Sequence, residues 1–184
     1  MDSTFIEAPS STKNQKKERD PEAHSAKKGN TWHFGYKAHI GVDDKSGIVH
    51  TVKVTAANVH DVTVAADLLT GEEERVYGDS GYLGADKRSE ALKKNKSGKK
   101  VSYKINRRPS QSKNNSVRSK AQIKRREREK SSVRAKVEHV FAVIKQQLHF
   151  RKTRYRGLRK QIAKMNILFA LANLILADRP SLAA

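Results

Sequence analysis

Two runs of strict alternation constrain this chain more than any other stretch of it. In FGYKAHIGV (34–42), Phe34, Tyr36, Ala38, Ile40 and Val42 share one face, with Lys37 and His39 on the other. The alternation resumes in IVHTVKVTA (48–56), after the turn residues Asp43-Asp44-Lys45-Ser46-Gly47. Two period-2 runs around an Asp- and Gly-containing turn specify a β-hairpin. A hairpin with one apolar face needs a cover, and the rest of the chain supplies it. TFIEAP (3–8), RVYGD (75–79) and KVSYKI (100–105) read as further strands, VHDVTVAADLL (59–69) and residues 85–95 as short helices. A long helical pattern spans 121–148, and an apolar one spans 158–177. The latter (NILFALANLILA) is apolar on nearly all sides and is expected as a buried core helix. Lys164, Asn166, Asn173 and its short length hold back a membrane reading. Residues 13–31 and 106–118 have loop composition. Such an order specifies a mixed α/β (α+β) fold in one domain over residues 1–184.

Charge narrows the function. Residues 93–164 hold 26 Lys and Arg against three Asp and Glu, whereas the other 112 residues hold 13 against 16. A nearly neutral part thus carries most of the acids, and a strongly cationic part attracts phosphate by counterion release, without reading sequence. Absence of cysteine excludes disulfide frameworks, Cys-based zinc sites and thiol nucleophiles. MDSTFIEAPSST has neither the basic nor the apolar region of a signal peptide, so a soluble, cytoplasmic protein with a polyanionic partner is expected.

Metal-dependent phosphodiester chemistry needs two or three carboxylates converging on one spot, because Mg²⁺ prefers hard oxygen ligands. Asp79 ends an apolar strand inside YGDSGYLG, where Gly78 and Gly81 permit close backbone approach. A helix N-cap or Asx turn is the competing explanation of that acid. Glu138 sits at the rim of the apolar face formed by Val133, Val137, Val140, Ile144 and Leu148, on one stripe with Arg134 and Lys145. An ordinary i,i+4 Arg–Glu pair explains Arg134 with Glu138 but not Lys145. Asp2, directly before TFIEAP, is by itself only an acid at a terminus. Asp61, in Val59-His60-Asp61, reads as a helix cap or as support for the site. Asp43 and Asp44 belong to a turn, and Glu72, Glu73 and Glu74 to a solvated run. Trp32, His33 and Tyr36 are candidates for stacking on bases, although Trp32 equally suits a lid over the core. No His pair has helical i,i+4 metal spacing; His24, His33 and His39 read as incidental, and His139 as surface.

The succession DSTFIEAPSST, GYKAHIGVD, VHD, VYGDSGYLG and VRAKVEHVFAVIKQQL resembles, over essentially the whole chain, the insertion-sequence transposases of the IS5 group in the IS4-like DDE superfamily. Arg134-x₃-Glu138-x₆-Lys145 matches the family signature Tyr-x₂-Arg-x₃-Glu-x₆-Lys, with Ser131 where the Tyr would fall. The resemblance implies an RNase H-like fold with a truncated first strand. It also implies Asp2, Asp79 and Glu138 as catalytic acids and ligands of Mg²⁺ or Mn²⁺, and cleavage and transfer of DNA ends. Arg134 and Lys145 would lie near the scissile phosphate, and the basic stretch adds Arg125, Arg126, Arg128 and Lys136 as phosphate contacts. It further implies a homo-oligomer at full length, the chain being the C-terminal catalytic portion, in which Asp2 should fray. The alternatives are a catalytically inactive DNA-binding remnant and, further off, a basic RNA-binding protein.

Overall fold

The computed structural model describes residues 1–108 and 117–178. Four strands, β1 (Asp2–Glu7), β2 (His24–Lys28), β3 (Thr31–Val42) and β4 (Val49–Ala56), form an antiparallel sheet around β3. β1 and β4 both pair with residues 36–40 of β3 and so occupy its opposite edges. The 34–56 hairpin is as the alternation specifies, with three more residues at the start of β3. Those residues carry β2, which lies within the expected 13–31 loop. HSAKK has no apolar alternation, and the strand is mostly exposed; main-chain pairing with the projecting end of β3 creates it, a signal that side chains do not advertise.

Tyr36, Ala38, Ile40 and Val54 on one sheet face pack against helices α1 (Val117–Ala142) and α2 (Leu158–Ala177). Val137 and Val140 come from α1, Val143 and Ile144 from the π turn Val143–Gln147 that ends it, and Met165, Leu168, Phe169 and Ala172 from α2. Phe141 and Phe169 meet edge to face, centroids 6.3 Å apart. The expectation of an all-round buried last helix is corrected. α2 buries Gln161, Met165, Leu168, Phe169 and Ala172 but exposes Ile162, Ile167, Leu171 and Leu174, because sheet and α1 cover one side only. By length and composition α2 passes as a membrane span, yet its polar Asn173 is an anchor: Val49 N–H donates to its Oδ1 (2.9 Å) and its Nδ2 donates to Val49 O (2.8 Å).

A second, smaller layer joins parallel strands β5 (Arg75–Gly78) and β6 (Ser102–Ile105). It closes over Met1, Ala65, Leu68, Val76, Tyr82, Ala85 and Val101. The helix expected over 59–69 is instead two 3₁₀ turns, Asp61–Val64 and Ala66–Leu68. Of the one expected over 85–95 only the turn Ala85–Lys87 forms. Beyond it, Asn95 Oδ1 accepts from the N–H groups of Ser97 and Lys99, a side-chain turn that competes with helix. Residues 109–116 of the expected 106–118 loop lie outside the described residues.

Candidate carboxylate site

Antiparallel pairing sets Asp2 opposite Ile40 and Ser3 opposite His39, so successive β1 side chains turn to opposite faces. Asp2 faces α1. There Arg134 Nη2 donates to Asp2 Oδ2 (3.3 Å) and, one helical turn on, to Glu138 Oε1 (3.2 Å). Two oxygens on the same nitrogen lie no more than about 6.5 Å apart, although their residues are 136 apart in sequence. Asp2 does not fray: its side chain is 13% exposed, and the Met1 nitrogen before it donates to Tyr77 O on β5 (2.7 Å). That bond sets the start of β1 beside the strand that delivers Asp79.

Asp79 caps the 3₁₀ turn Ser80–Tyr82, its Oδ1 accepting the Gly81 N–H (2.9 Å). The Asx-turn explanation is therefore correct and does not exhaust the residue. Burial raises the Asp79 pKa, and the Asp2 carboxylate and, more weakly, Asp61 push the same way; the Gly81 N–H and Arg134 oppose them. Asp79 thus lies within electrostatic reach of Asp2, Asp61 and Arg134. No described hydrogen bond joins it to Glu138, whose side chain is 64% exposed at the rim.

Asp61 sits deeper than its sequence context suggests. Its Oδ2 accepts from Ser3 Oγ (3.0 Å) and its Oδ1 from Lys37 Nζ (2.8 Å), which also donates to Val59 O (2.6 Å). A Cβ on Gly81 would stand 3.0 Å from both Asp61 Oδ2 and Asp79 Oδ1, so glycine is what lets the two carboxylates close on this turn. His39 is fully buried with Nε2 on Thr55 Oγ1 (2.9 Å) and Nδ1 3.8 Å from Asp61. Burial lowers its pKa to about 4, Asp61 working against that and Lys37 with it. The buried Tyr82 hydroxyl has no hydrogen-bond partner among the described residues; burial and the charges of Asp61, Asp2 and Asp79 raise its pKa. Sequence reading passed over Ser3, Lys37 and Tyr82. Register was the available signal for the first two, since Ser3 and Lys37 share the face opposite Asp2.

The cations divide by role. Lys145, on the π turn, donates to Thr4 Oγ1 (2.5 Å), two residues along β1 from Asp2; burial lowers its pKa, and the nearby Lys28 ammonium adds to the effect. Arg125, Arg126 and Arg128 are exposed on α1, Arg125 paired with Glu129 (3.2 Å). Lys136 is anchored on the β3–β4 turn through the carbonyls of Asp44 and Lys45. Ser131, at the signature tyrosine's position, lies 3.3 Å from Asn106 Nδ2, which donates to it. Asp43 Oδ1 accepts from Lys45 and Ser46 and serves its turn. His139 is exposed, as expected.

An all-oxygen donor set of carboxylates suits a hard divalent cation, which would offset both the burial that raises the Asp79 pKa and the Asp2 repulsion that adds to it. Among the described residues no three acids or histidines already stand in metal-ligand geometry; Arg134 is the cation that draws Asp2 and Glu138 together.

A family model described as a transposase DDE domain matches residues 1–174, and the chain belongs to that family. Membership implies DNA as substrate, and the family typically works with a divalent metal. No solved structure matches the chain.

Proposed function

We propose that the chain is an RNase H-like catalytic domain of an IS5-type transposase, cutting and joining DNA with Asp2, Asp79 and Glu138 as its acids. The observation that carries this reading is the shared Arg134 guanidinium, which ties the first strand's acid to the helix's acid while Asp79 lies within electrostatic reach of Asp2 and Arg134. The antiparallel β1–β3–β4 arrangement, with β5 set beside the start of β1, supports the RNase H-like assignment. Action as a homo-oligomer on DNA of a nucleoid belongs to the same reading.

Asp2 and Asp79 would hold Mg²⁺ or Mn²⁺, with Glu138 swinging in from the rim. Bound there, the metal would supply charge neutralisation at the scissile phosphate and a more acidic attacking water. The chain's own residues do the rest. An exposed i,i+4 pair such as Arg134–Glu138 stabilises by only about 0.3–0.5 kcal/mol, so a phosphate displaces Glu138 from the guanidinium at little cost. The partner Asp2 is only 13% exposed and keeps Arg134 in place. Lys145, fixed on Thr4, sets a second positive charge along β1, and Arg125, Arg126 and Arg128 extend the cationic surface along α1.

In a nicking assay on supercoiled DNA with Mg²⁺ or Mn²⁺, Asp79→Ala and Glu138→Ala should each reduce cleavage at least about a hundredfold, the scale of losing a group that acts on the reacting atoms. Parental rates in both variants would refute the acid assignment. The pairing of Arg134 with both Asp2 and Glu138 also favours a second reading, a domain that grips DNA without cutting it. That one expects no cleavage, steep salt dependence of binding and indifference to metal.

A further inference from the structure

Of the three aromatic residues considered for stacking, the structure occupies two. Tyr36 is buried with its hydroxyl donating to Asp20 Oδ2 (2.6 Å). His33 stacks on Phe5, centroids 4.7 Å apart, and pairs with Glu7. Trp32 is left, 68% exposed at the tip of the β2–β3 hairpin, and it is the chain's only tryptophan.

Its surroundings are cationic. Lys27 is its cross-strand partner, Lys28 follows, and the next aromatic on its face, Phe34, lies beneath the Arg19 guanidinium at 5.6 Å. The acids of the preceding segment are turned to other work. Asp20 accepts from Tyr36 and the Gly157 N–H, and Glu22 accepts from the Leu158 N–H. Lys27 and Lys28 form no ion pair with a described residue. An apolar protein partner would find no apolar rim here, whereas an exposed aromatic among lysines is the composition that single-stranded nucleic acid uses.

The hairpin tip also shares a sheet face with Asp2. Trp32, Phe34, Tyr36, Ala38 and Ile40 alternate onto the helix-facing side of β3, as do Asp2 and Thr4, opposite Ile40 and Ala38. From Ile40 to Trp32 is eight residues of strand, about 26 Å. Lys145, hydrogen-bonded to Thr4, lies within electrostatic range of Lys28 and of Glu7, whose carboxylate pairs with His33, so lysines stand at both ends of the stretch between Arg134 and the hairpin.

We propose that Trp32, flanked by Lys27 and Lys28, is a base-stacking platform for an unpaired stretch of DNA, about 26 Å along the sheet from the carboxylate site. This rests on the DNA-substrate reading, and the experiment separates the two. Because Trp32 is the only tryptophan, its emission reports this one position. The probes are a fluorescein-labelled dT₁₂ oligonucleotide, a blunt duplex and the same duplex with an unpaired dT₁₂ tail, all at low salt; fluorescein anisotropy reads binding independently. The proposal expects dT₁₂ and the tailed duplex to quench Trp32 emission in step with the anisotropy rise, and the blunt duplex to bind with little quenching. Trp32→Ala should weaken dT₁₂ binding about tenfold, within the range seen for losing one stacked base, while Trp32→Phe restores most of it. Binding by anisotropy with unchanged emission and unchanged affinity of Trp32→Ala would overturn the platform and leave the DNA reading intact. Equal quenching by the blunt duplex would overturn base stacking. No anisotropy change with any probe would overturn the DNA reading and the platform with it.

Discussion

The two layers of this molecule treat their buried polar groups in opposite ways. Under the large sheet every polar group of consequence is closed off: Tyr36 on Asp20, Thr153 Oγ1 on Gln161 Oε1 (2.6 Å), Asn173 on both main-chain groups of Val49. Where the small layer meets β1, β3 and α1, the Tyr82 hydroxyl, Arg134 Nε and His39 Nδ1 are buried without a hydrogen-bond partner among the described residues, as is Asn106 Oδ1 further along α1. A buried polar group left unpaired costs about 1–3 kcal/mol. Selection for stability alone removes such groups, so their concentration around Asp2, Asp61 and Asp79 marks where the fold serves something other than itself.

The largest effect that tests this contrast lies in the satisfied layer. Asp20→Ala strands the buried Tyr36 hydroxyl and the Gly157 N–H together, a loss on the order of 3 kcal/mol. For a chain of this size that lowers Tm by roughly 10 °C. Calorimetry checks it, and DNA cleavage per folded molecule should stay at the parental rate. A cleavage defect larger than the folding defect would break the distinction between the layers.

Next comes a pH effect from the unsatisfied corner. The His39 pKa falls from about 6.5 unfolded to about 4 folded, so the folded state holds the neutral imidazole. That contribution is complete above pH 6.5 and is lost as pH falls toward 4, where the unfolded chain takes up the proton first. Denaturant midpoints should decline across that window. In His39→Gln, the decline over pH 6.5–4 should be shallower.

Legibility in the sequence follows the same division. Period-2 alternation identified β3 and β4, because a strand with one buried face writes its burial into side-chain choice. β2 was illegible since it is held by main-chain pairing alone, and α2 was over-read since an apolar composition does not say how many neighbours will cover it. At the site, glycine context singled out Asp79 and helical phase singled out Glu138. Asp2 came from family resemblance, as nothing local distinguishes a terminal acid. Asp61 looked like a cap; its place beside Asp79 depends on the register of β1 against β3 and on the missing side chain of Gly81, neither of which a linear pattern records.

Gly81→Ala carries a smaller stability effect and sharpens the comparison. The added methyl would press on two carboxylate oxygens at 3.0 Å, which must shift by a few tenths of an ångström. A Tm loss of a few degrees, about 1 kcal/mol, should accompany a cleavage loss of tenfold or more, since positioning matters more to chemistry than to folding. Parallel losses in the two would mean that the glycine serves packing only.

The smallest change is also the one whose sign is least intuitive. Burial and the Asp2 carboxylate raise the Asp79 pKa above its unfolded value, so at pH 7 its ionised form is held in the folded state at a cost. Protonation is favoured in the folded chain, and the resulting stability is present below the unfolded carboxylate pKa and lost as pH rises through the folded one. Asp79→Asn removes that charge and keeps a side-chain oxygen for the Gly81 N–H. Its Tm should therefore match or slightly exceed the parent's at pH 7, by a degree or two, and the difference should close near pH 3, where the parent is protonated as well. A variant that melts well below the parent at pH 7 would show Asp79 to be a structural acid of the kind found under the large sheet, and the corner would lose its claim to be different.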